Sequence, residues 1–507
     1  MPLAIATLLA ASLLPALLRP SQFIHEDSYF YLQIAHHIAA GHGSTFHGIT
    51  PTNGYHPLWM ACVVAVMALA GGDKSAGLYY VVILQMLLSA ATLLLFRRLA
   101  QAIALEFWLP GLAVLALYLL GTGLYGSEAH LNALTLVAAT LSLWRAMASR
   151  QDRAWLWTGV FFGAAVLARL DNVFVAAGLL GLGVLHDRPR DLARPARRAA
   201  LAALGGLAVL APYLAYNVLS YGHLVPITGA IKSQLPVVTF DLGRLGAMGM
   251  LAAPFGLVCL AIGLFADQDP RRRVVWLGLG SGVALHALYV VAATDHYTFW
   301  PWYYVSGAFA AGLGTSYLAG RVAAVIRPVI GTAATSALVL TGSLVLLAGA
   351  SVRACLKAFS PFRLGPIAVN VRINEYRWPE ELAIWMKANI PRNSLVYVQD
   401  WPGAIAYYSD LGILPMDGLV NDYRYNDELL ALGVESYLCS RGVTYFMGHL
   451  IDRDEPHEVP VSAPLYRQPA GVLTLQPEDI VIETRSVLKQ PDDAPPFAIW
   501  RVPCPRS

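Results

Sequence analysis

The sequence predicts a polytopic α-helical membrane protein of about eleven transmembrane helices, with an extracytoplasmic α/β domain at its C-terminus. Three observations carry this. Of 507 residues, 57% are hydrophobic and only 13% charged, where soluble domains carry about 25%. Apolar runs long enough to cross a hydrocarbon core of ~30 Å recur as far as residue 350 and then stop. The arginines between those runs gather on alternate loops. The same arithmetic excludes a soluble enzyme, a disordered chain and a nucleic-acid-binding protein, because a net charge of +3 leaves no electrostatic footprint for an acidic polymer.

In chain order the apolar runs lie near 2–19, 77–96, 107–124, 130–148, 154–186, 200–217, 247–266, 274–293, 303–320 and 328–350. The run 154–186 is too long for one span and is broken by Arg169-Leu170-Asp171, which predicts a tight hairpin of two helices. His56 to Leu69 is shorter and follows a Pro/Gly/His-rich loop, as an interfacial segment would. With the N-terminus inside, the cytoplasmic loops collect Arg97 and Arg98, then Arg145, Arg150 and Arg153, then Arg188, Arg190, Arg194, Arg197 and Arg198. Arg271, Arg272, Arg273, Arg321 and Arg327 complete the set. The outer loops hold only Arg19, Lys74, Arg169, Lys232 and Arg244. The first run lacks a basic n-region and a small-residue cleavage site, so it reads as a retained anchor. The expected setting is a bacterial inner membrane.

Residues 1–350 are therefore expected to form the membrane module, with its first outer loop at 20–76, and residues 351–507 an outer domain of ordinary size. In the latter, Arg377–Asn389 reads as an amphipathic helix stopped before Pro391, Leu395–Val398 as a strand and Gly403–Tyr408 as a short helix. Ile413–Met416 reads as a strand and Asp427–Ser440 as one helix closed by Gly442, with Val443–Met447 and Phe497–Val502 as further strands. Cys355, Cys439 and Cys504 fall in this domain; three cysteines allow one internal disulfide, and spacing does not choose the pair.

The first outer loop holds the chemistry-bearing residues. Glu26 and Asp27 open a short amphipathic helix that ends at Gly41. The helix dipole favours carboxylates there; a carboxylate at the membrane boundary is also a candidate general base. Neighbours on a helix point about 100° apart, so one of the two faces the site while the other supports it. Six of the thirteen histidines crowd here: His25, His36, His37, His42, His47 and His56. Their spacing matches no closed zinc pattern, so no metal ligands are assigned, and imidazoles at an interface also serve as hydrogen-bonding anchors.

The string E-D-S-Y-F-Y-L-Q-I-A-x-x-I-A-x-G-H-G from Glu26, followed by T-N-G-Y-H-P-L-W from Thr52, resembles the first outer loop of GT-C membrane glycosyltransferases. Further along, Gly126-Ser127-Glu128-Ala129 resembles their G-M-E-T element, and Leu167-Ala168-Arg169-Leu170-Asp171 their T-R-P-[DE]-G hairpin. Tyr221-Gly222-His223-Leu224-Val225-Pro226, running on to Lys232-Ser233, resembles their Y-G-x-L-x-P…A-K-S loop. Val398 to Tyr408 and Met416 to Asn421 extend the likeness into the outer domain. Within that superfamily the sequence resembles the decaprenyl-phosphoarabinose-dependent arabinofuranosyltransferases of actinobacterial cell walls.

That resemblance implies an inverting transfer of a sugar, for instance a pentose such as arabinofuranose, from a polyprenyl-phosphate donor to a hydroxyl of a glycan, lipid or protein. Asp27 is the first choice of base and Glu26 the second. Glu128 lies at the outer face with no base near it in sequence; with Asp171, His56 and Tyr55 it is expected to orient donor or acceptor. Arg169, Lys232 and His223 are expected to receive the departing phosphate. A divalent cation (Mg or Mn) is used by some members and not by others, and no cofactor is assigned. The aromatic run Tyr297 to Tyr304 suits a membrane-interface belt or a wall for sugar or isoprenoid. Asp400, Asp417 and Asn421 suit an acceptor path or strand-end turns. The alternative from another class is a flippase of lipid-linked sugars; it would show an internal repeat and mid-membrane polar residues, whereas here the ionisable residues gather at one face.

Overall fold

The computed structural model describes residues 13–121, 125–186, 193–295, 300–359, 377–484 and 496–504. The predicted first span falls largely outside these residues. Helix α1 (Glu26–Ala39) follows it, with His25 at the N-cap accepting from the Asp27 amide, and α2 (Pro57–Leu69) starts at the proline of the P-L-W string. Then come α3 (Lys74–Ala102), α4 (Trp108–Gly121), α5 (Ala129–Ala148), α6 (Arg153–Ala168), α7 (Val173–Val184) and α8 (Ala193–Tyr221). The membrane half continues with the short α9 (Ile227–Lys232), α10 (Gly246–Ala261), α11 (Pro270–Ala293), α12 (Val305–Ile330) and α13 (Thr332–Phe359). Among the described residues seven helices are long and apolar enough to cross a membrane, and four shorter apolar ones accompany them.

The break between α6 and α7 has a local cause. Arg169 is extended, with φ −158° and ψ 119°, and Leu170–Asn172 forms one 3₁₀ turn. The Ala165 carbonyl accepts from the Arg169 amide at 3.1 Å and also from Asn172 Nδ2 at 2.7 Å, and Asn172 Nδ2 donates to Asn132 Oδ1 at 2.7 Å, so the turn is tied to α5 and α6 within the protein.

Helices pack through small residues, as membrane bundles require. Helix α6 lies along α8, and α7 along α11. A Cβ on Gly159 of α6 would come within 1.9 Å of the Ala202 carbonyl of α8.

The C-terminal domain carries α14 (Arg377–Asn389), β1 (Leu395–Val398), α15 (Pro402–Ser409), β2 (Gly412–Pro415), α16 (Tyr423–Leu432), α17 (Val434–Ser440) and β3 (Val443–His449). It ends with β4 (His457–Ala463), β5 (Gln468–Leu475), β6 (Ile480–Glu483) and β7 (Phe497–Arg501). Five strands form a mixed sheet ordered β2-β1-β3-β7-β6, with β1 parallel to β2 and β3 and the remaining pairs antiparallel. Strand β1 is buried along its length, as a parallel strand covered on both faces should be. Strands β4 and β5 form a separate antiparallel hairpin. The single helix expected over Asp427–Ser440 is two, because Gly433 takes φ +74° and separates α16 from α17. Cys439 and Cys504 form a disulfide.

One buried apolar cluster joins Tyr29, Phe30 and Ile34 of α1 and Trp59 of α2 to Val396, Ile405 and Tyr407 of the C-terminal domain. That domain therefore shares a core with the first loop.

Candidate active site

Where the first loop, the α6–α7 turn, the loop after α8 and the C-terminal domain meet, they enclose a cavity of about 800 Å³, within the range of small-molecule sites. Asp27, Tyr55, His56, Glu128, Arg169, Asp171, His223 and Lys232 all line it. These residues come from six separate stretches of sequence, and the fold brings them to one place.

The two leading acids part company. Asp27 faces the cavity, half-buried, and no hydrogen bond or ion pair to its carboxylate forms among the described residues. Glu26 lies outside the cavity lining. Its buried carboxylate accepts from the backbone N–H groups of Gly403 and of Ala404, the latter at 3.1–3.2 Å, at the start of α15. Burial pushes the Glu26 carboxyl well above its ordinary range, and the two backbone donors pull it part of the way back. Gly403 is required there, since a Cβ would sit 2.7 Å from the Glu26 carbonyl oxygen.

Glu128 is paired, with a base 41 residues away: its carboxylate bonds the Arg169 guanidinium. It also accepts from Tyr31 Oη at 3.3 Å and has His56 Nε2 at 3.8 Å. Arg169 Nε donates to Asp171 Oδ2 at 2.8 Å, and the guanidinium lies 4.1 Å from the Tyr303 ring centroid. Asp171 has His286 Nε2 at 3.3 Å. Arg169 thus enters the cavity with donors committed to two carboxylates. His56 Nδ1 accepts from the Leu170 amide at 3.4 Å, and burial lowers its pKa to about 4, only partly opposed by Glu128. It is neutral near pH 7.

Lys232 lines the cavity as well and shares the Tyr303 ring with Arg169, its Nζ 5.5 Å from the centroid. Its Nζ donates to Tyr303 Oη at 2.9 Å. Burial disfavours its charge, but Tyr303 and Asp27 more than offset this and hold it cationic. His223 stacks on Tyr423 of the C-terminal domain, ring centroids 3.8 Å apart. Tyr55 Oη and Ser44 Oγ are 2.8 Å apart. In the aromatic run, Tyr297, Thr298 and Phe299 lie outside the described residues, while Trp302 and Tyr303 line the cavity.

Asp400, Asp417 and Asn421 are absent from the cavity lining and serve local turns. Asp400 accepts from the Trp401 amide at 2.9 Å and has His449 at 3.5 Å. Asp417 accepts from the Leu419 amide at 3.0 Å, and burial raises it to about 6. Asn421 donates to the Pro415 carbonyl at 2.9 Å. The first-loop histidines act mostly as fasteners: His37 Nδ1 lies 2.8 Å from the Thr45 carbonyl, and His47 Nδ1 accepts from the Ile49 amide at 3.2 Å. Among the described residues no three His, Cys, Asp or Glu side chains converge as metal ligands.

Sequence reasoning passed over His286 and Arg467, which also line the cavity. A histidine inside the apolar run 274–293 was a usable signal, because an ionisable residue in a span is costly without a partner. Arg467 carries no such mark.

No family model matches the sequence, and no curated protein matches it in sequence. Solved structures that resemble it include ArnT from Cupriavidus metallidurans bound to undecaprenyl phosphate, with 13% identity and a TM-score of 0.54 over 82% of this chain and 85% of that one. The Archaeoglobus fulgidus oligosaccharyltransferase, tethered with an acceptor peptide, matches at 10% identity and TM-score 0.48, over 88% of this chain and 69% of its own. The mycobacterial arabinofuranosyltransferase AftD matches at 16% and 0.49, over 98% of this chain and 41% of its own. The likeness to ArnT shows that the two chains share a fold; seven helices long and apolar enough to cross a membrane and a strand-containing C-terminal domain make this chain a multi-pass membrane protein with an appended mixed domain.

Proposed function

We propose that this protein is an inverting glycosyltransferase that moves a sugar from a polyprenyl-phosphate donor to an acceptor hydroxyl on the outer side of the membrane. The observation that carries the reading is the cavity itself. An acid without a partner among the described residues, Asp27, and a cation, Lys232, line one chamber between the membrane helices and the C-terminal domain. The fold shared with a protein bound to undecaprenyl phosphate supports the lipid-phosphate donor, and the arginines on the opposite loops support the outward orientation. The Cys439–Cys504 disulfide suits an oxidising compartment.

In this reading the acceptor oxygen attacks the anomeric carbon as the carbon–oxygen bond to the donor phosphate breaks. The acceptor proton passes to the Asp27 carboxylate, and the bonding pair leaves with the polyprenyl phosphate. Lys232 meets the charge that grows on that phosphate. Arg169, held between Glu128 and Asp171, is a positioning residue: the cluster fixes the α6–α7 turn and, through Glu128, the orientation of Tyr31 and His56.

The test is incubation of purified protein in nanodiscs with a labelled polyprenyl-phosphate sugar and candidate acceptors. Covalent transfer of label to an acceptor is the expected result. Translocation of intact donor in proteoliposomes without transfer would overturn the enzyme reading in favour of a flippase.

A further inference from the structure

The turn joining β4 to β5 leaves the C-terminal domain and closes one side of the cavity with Leu465, Tyr466 and Arg467. Arg467 has φ +52°, a backbone conformation uncommon for a residue with a side chain. Its side chain crosses to the membrane module, where Nη2 donates to the Ile231 and Ser233 carbonyls at 3.0 Å each. Those carbonyls belong to the residues on either side of Lys232, so Arg467 is fastened to the end of α9 that carries Lys232, and both side chains line the cavity.

The charges of the cavity form two networks that meet at the Tyr303 ring. In one, Glu128 and Asp171 outnumber Arg169, whose donors they occupy. An anion gains nothing there. The other holds Lys232 and Arg467, faced by Asp27 and by Asp295, whose carboxylate is 3.6 Å from Arg467 Nε. Arg467 spends Nη2 on the two carbonyls and has Nε beside Asp295, while its Nη1 makes no hydrogen bond among the described residues; that remaining donor and the point charge of a lysine suit the oxygens of a phosphate.

We propose that Arg467 and Lys232 together form the subsite for the phosphate of the lipid donor, so that this subsite is complete only with the C-terminal domain docked. The assignment rests on the donor reading given above and adds to it a residue from outside the membrane module.

The test is binding of undecaprenyl phosphate to the full-length protein in nanodiscs, for the native chain, Arg467→Ala and Arg467→Lys. Undecaprenol serves as the phosphate-free arm and inorganic phosphate as the lipid-free competitor. The expected result is a loss of about tenfold or more in affinity for the phosphate lipid in Arg467→Ala, since one charge-assisted contact is worth at least that much. Undecaprenol binding should not change, and Arg467→Lys should fall between the two. Native affinity of Arg467→Ala for undecaprenyl phosphate would overturn the assignment and leave the donor reading standing. Equal loss for both lipids would overturn it too, by reducing Arg467 to an anchor of the hairpin. A native protein that binds the phosphate lipid no better than the alcohol would overturn the subsite and the donor reading together. Inorganic phosphate competing as effectively as the lipid would overturn the assignment to a lipid donor.

Discussion

Asp27 and Glu26 differ by one position and do different work because a helix turns about 100° per residue. One carboxylate points into the cavity; the other accepts backbone hydrogens of α15 from across the interface. The sequence shows that two acids begin α1, but not which one faces the site, since that depends on where the C-terminal domain sits. The Glu128–Arg169 pair was illegible for the same reason: 41 residues separate its members. Both side chains are almost wholly buried, and removing one partner of such a pair costs roughly 3–5 kcal/mol because it strands a charge. Arg169→Gln or Glu128→Gln should therefore each lower the melting temperature strongly, and the double variant should recover part of the loss. Native-like melting of either single variant would contradict this. His47 gives a pH prediction. Burial lowers its pKa from 6.5 to about 4, so the unfolded chain binds a proton that the folded chain refuses. Stability at His47 is full above pH 6.5 and is lost as pH falls toward 4, by up to about 3 kcal/mol. His47→Gln should flatten the acid limb of a melting-temperature profile, a limb to which His56 also contributes. An unchanged slope would count against it.

At the scale of elements, chemistry that punctuates the chain was readable and chemistry that depends on pairing was not. The Arg169-Leu170-Asp171 break gave the hairpin because two charges cannot continue a lipid-facing helix. Gly433, in a left-handed conformation, splits what periodicity alone joins into one helix. The β4–β5 hairpin was passed over although β4 alternates strictly, with Val459, Val461 and Ala463 inward and their neighbours outward; its proline at 460 masked that signal. Glycines mark where helices touch. Gly159→Val should push α6 from α8, since a Cβ there already meets the Ala202 carbonyl at 1.9 Å. The expected loss is on the order of 1–3 kcal/mol, as for other overpacked cores, measured by thermal unfolding in detergent. A tolerated substitution would contradict the packing described.

The whole molecule places its candidate site residues at a junction. The membrane bundle supplies Asp27, Lys232 and the Arg169 cluster, and the C-terminal domain closes the chamber with Leu419, Tyr423 and the β4–β5 turn. Composition and hydropathy predicted a membrane bundle with an appended mixed domain, and the motifs pointed to Asp27, Tyr55, His56, Glu128, Arg169, Asp171, His223 and Lys232 of the lining. They did not predict that the two parts share one apolar core, which is a property of surfaces that meet only after each has folded. The central claim is that Asp27 takes the acceptor proton in this chamber. Asp27→Asn keeps the shape and removes the base, so the direct measurement is sugar transfer from a polyprenyl-phosphate donor by purified native and Asp27→Asn proteins of equal melting temperature. A fall of about 10²–10⁴-fold in turnover, the usual contribution of a positioned base, with donor binding retained, is the predicted result; transfer at the native rate by Asp27→Asn would contradict it.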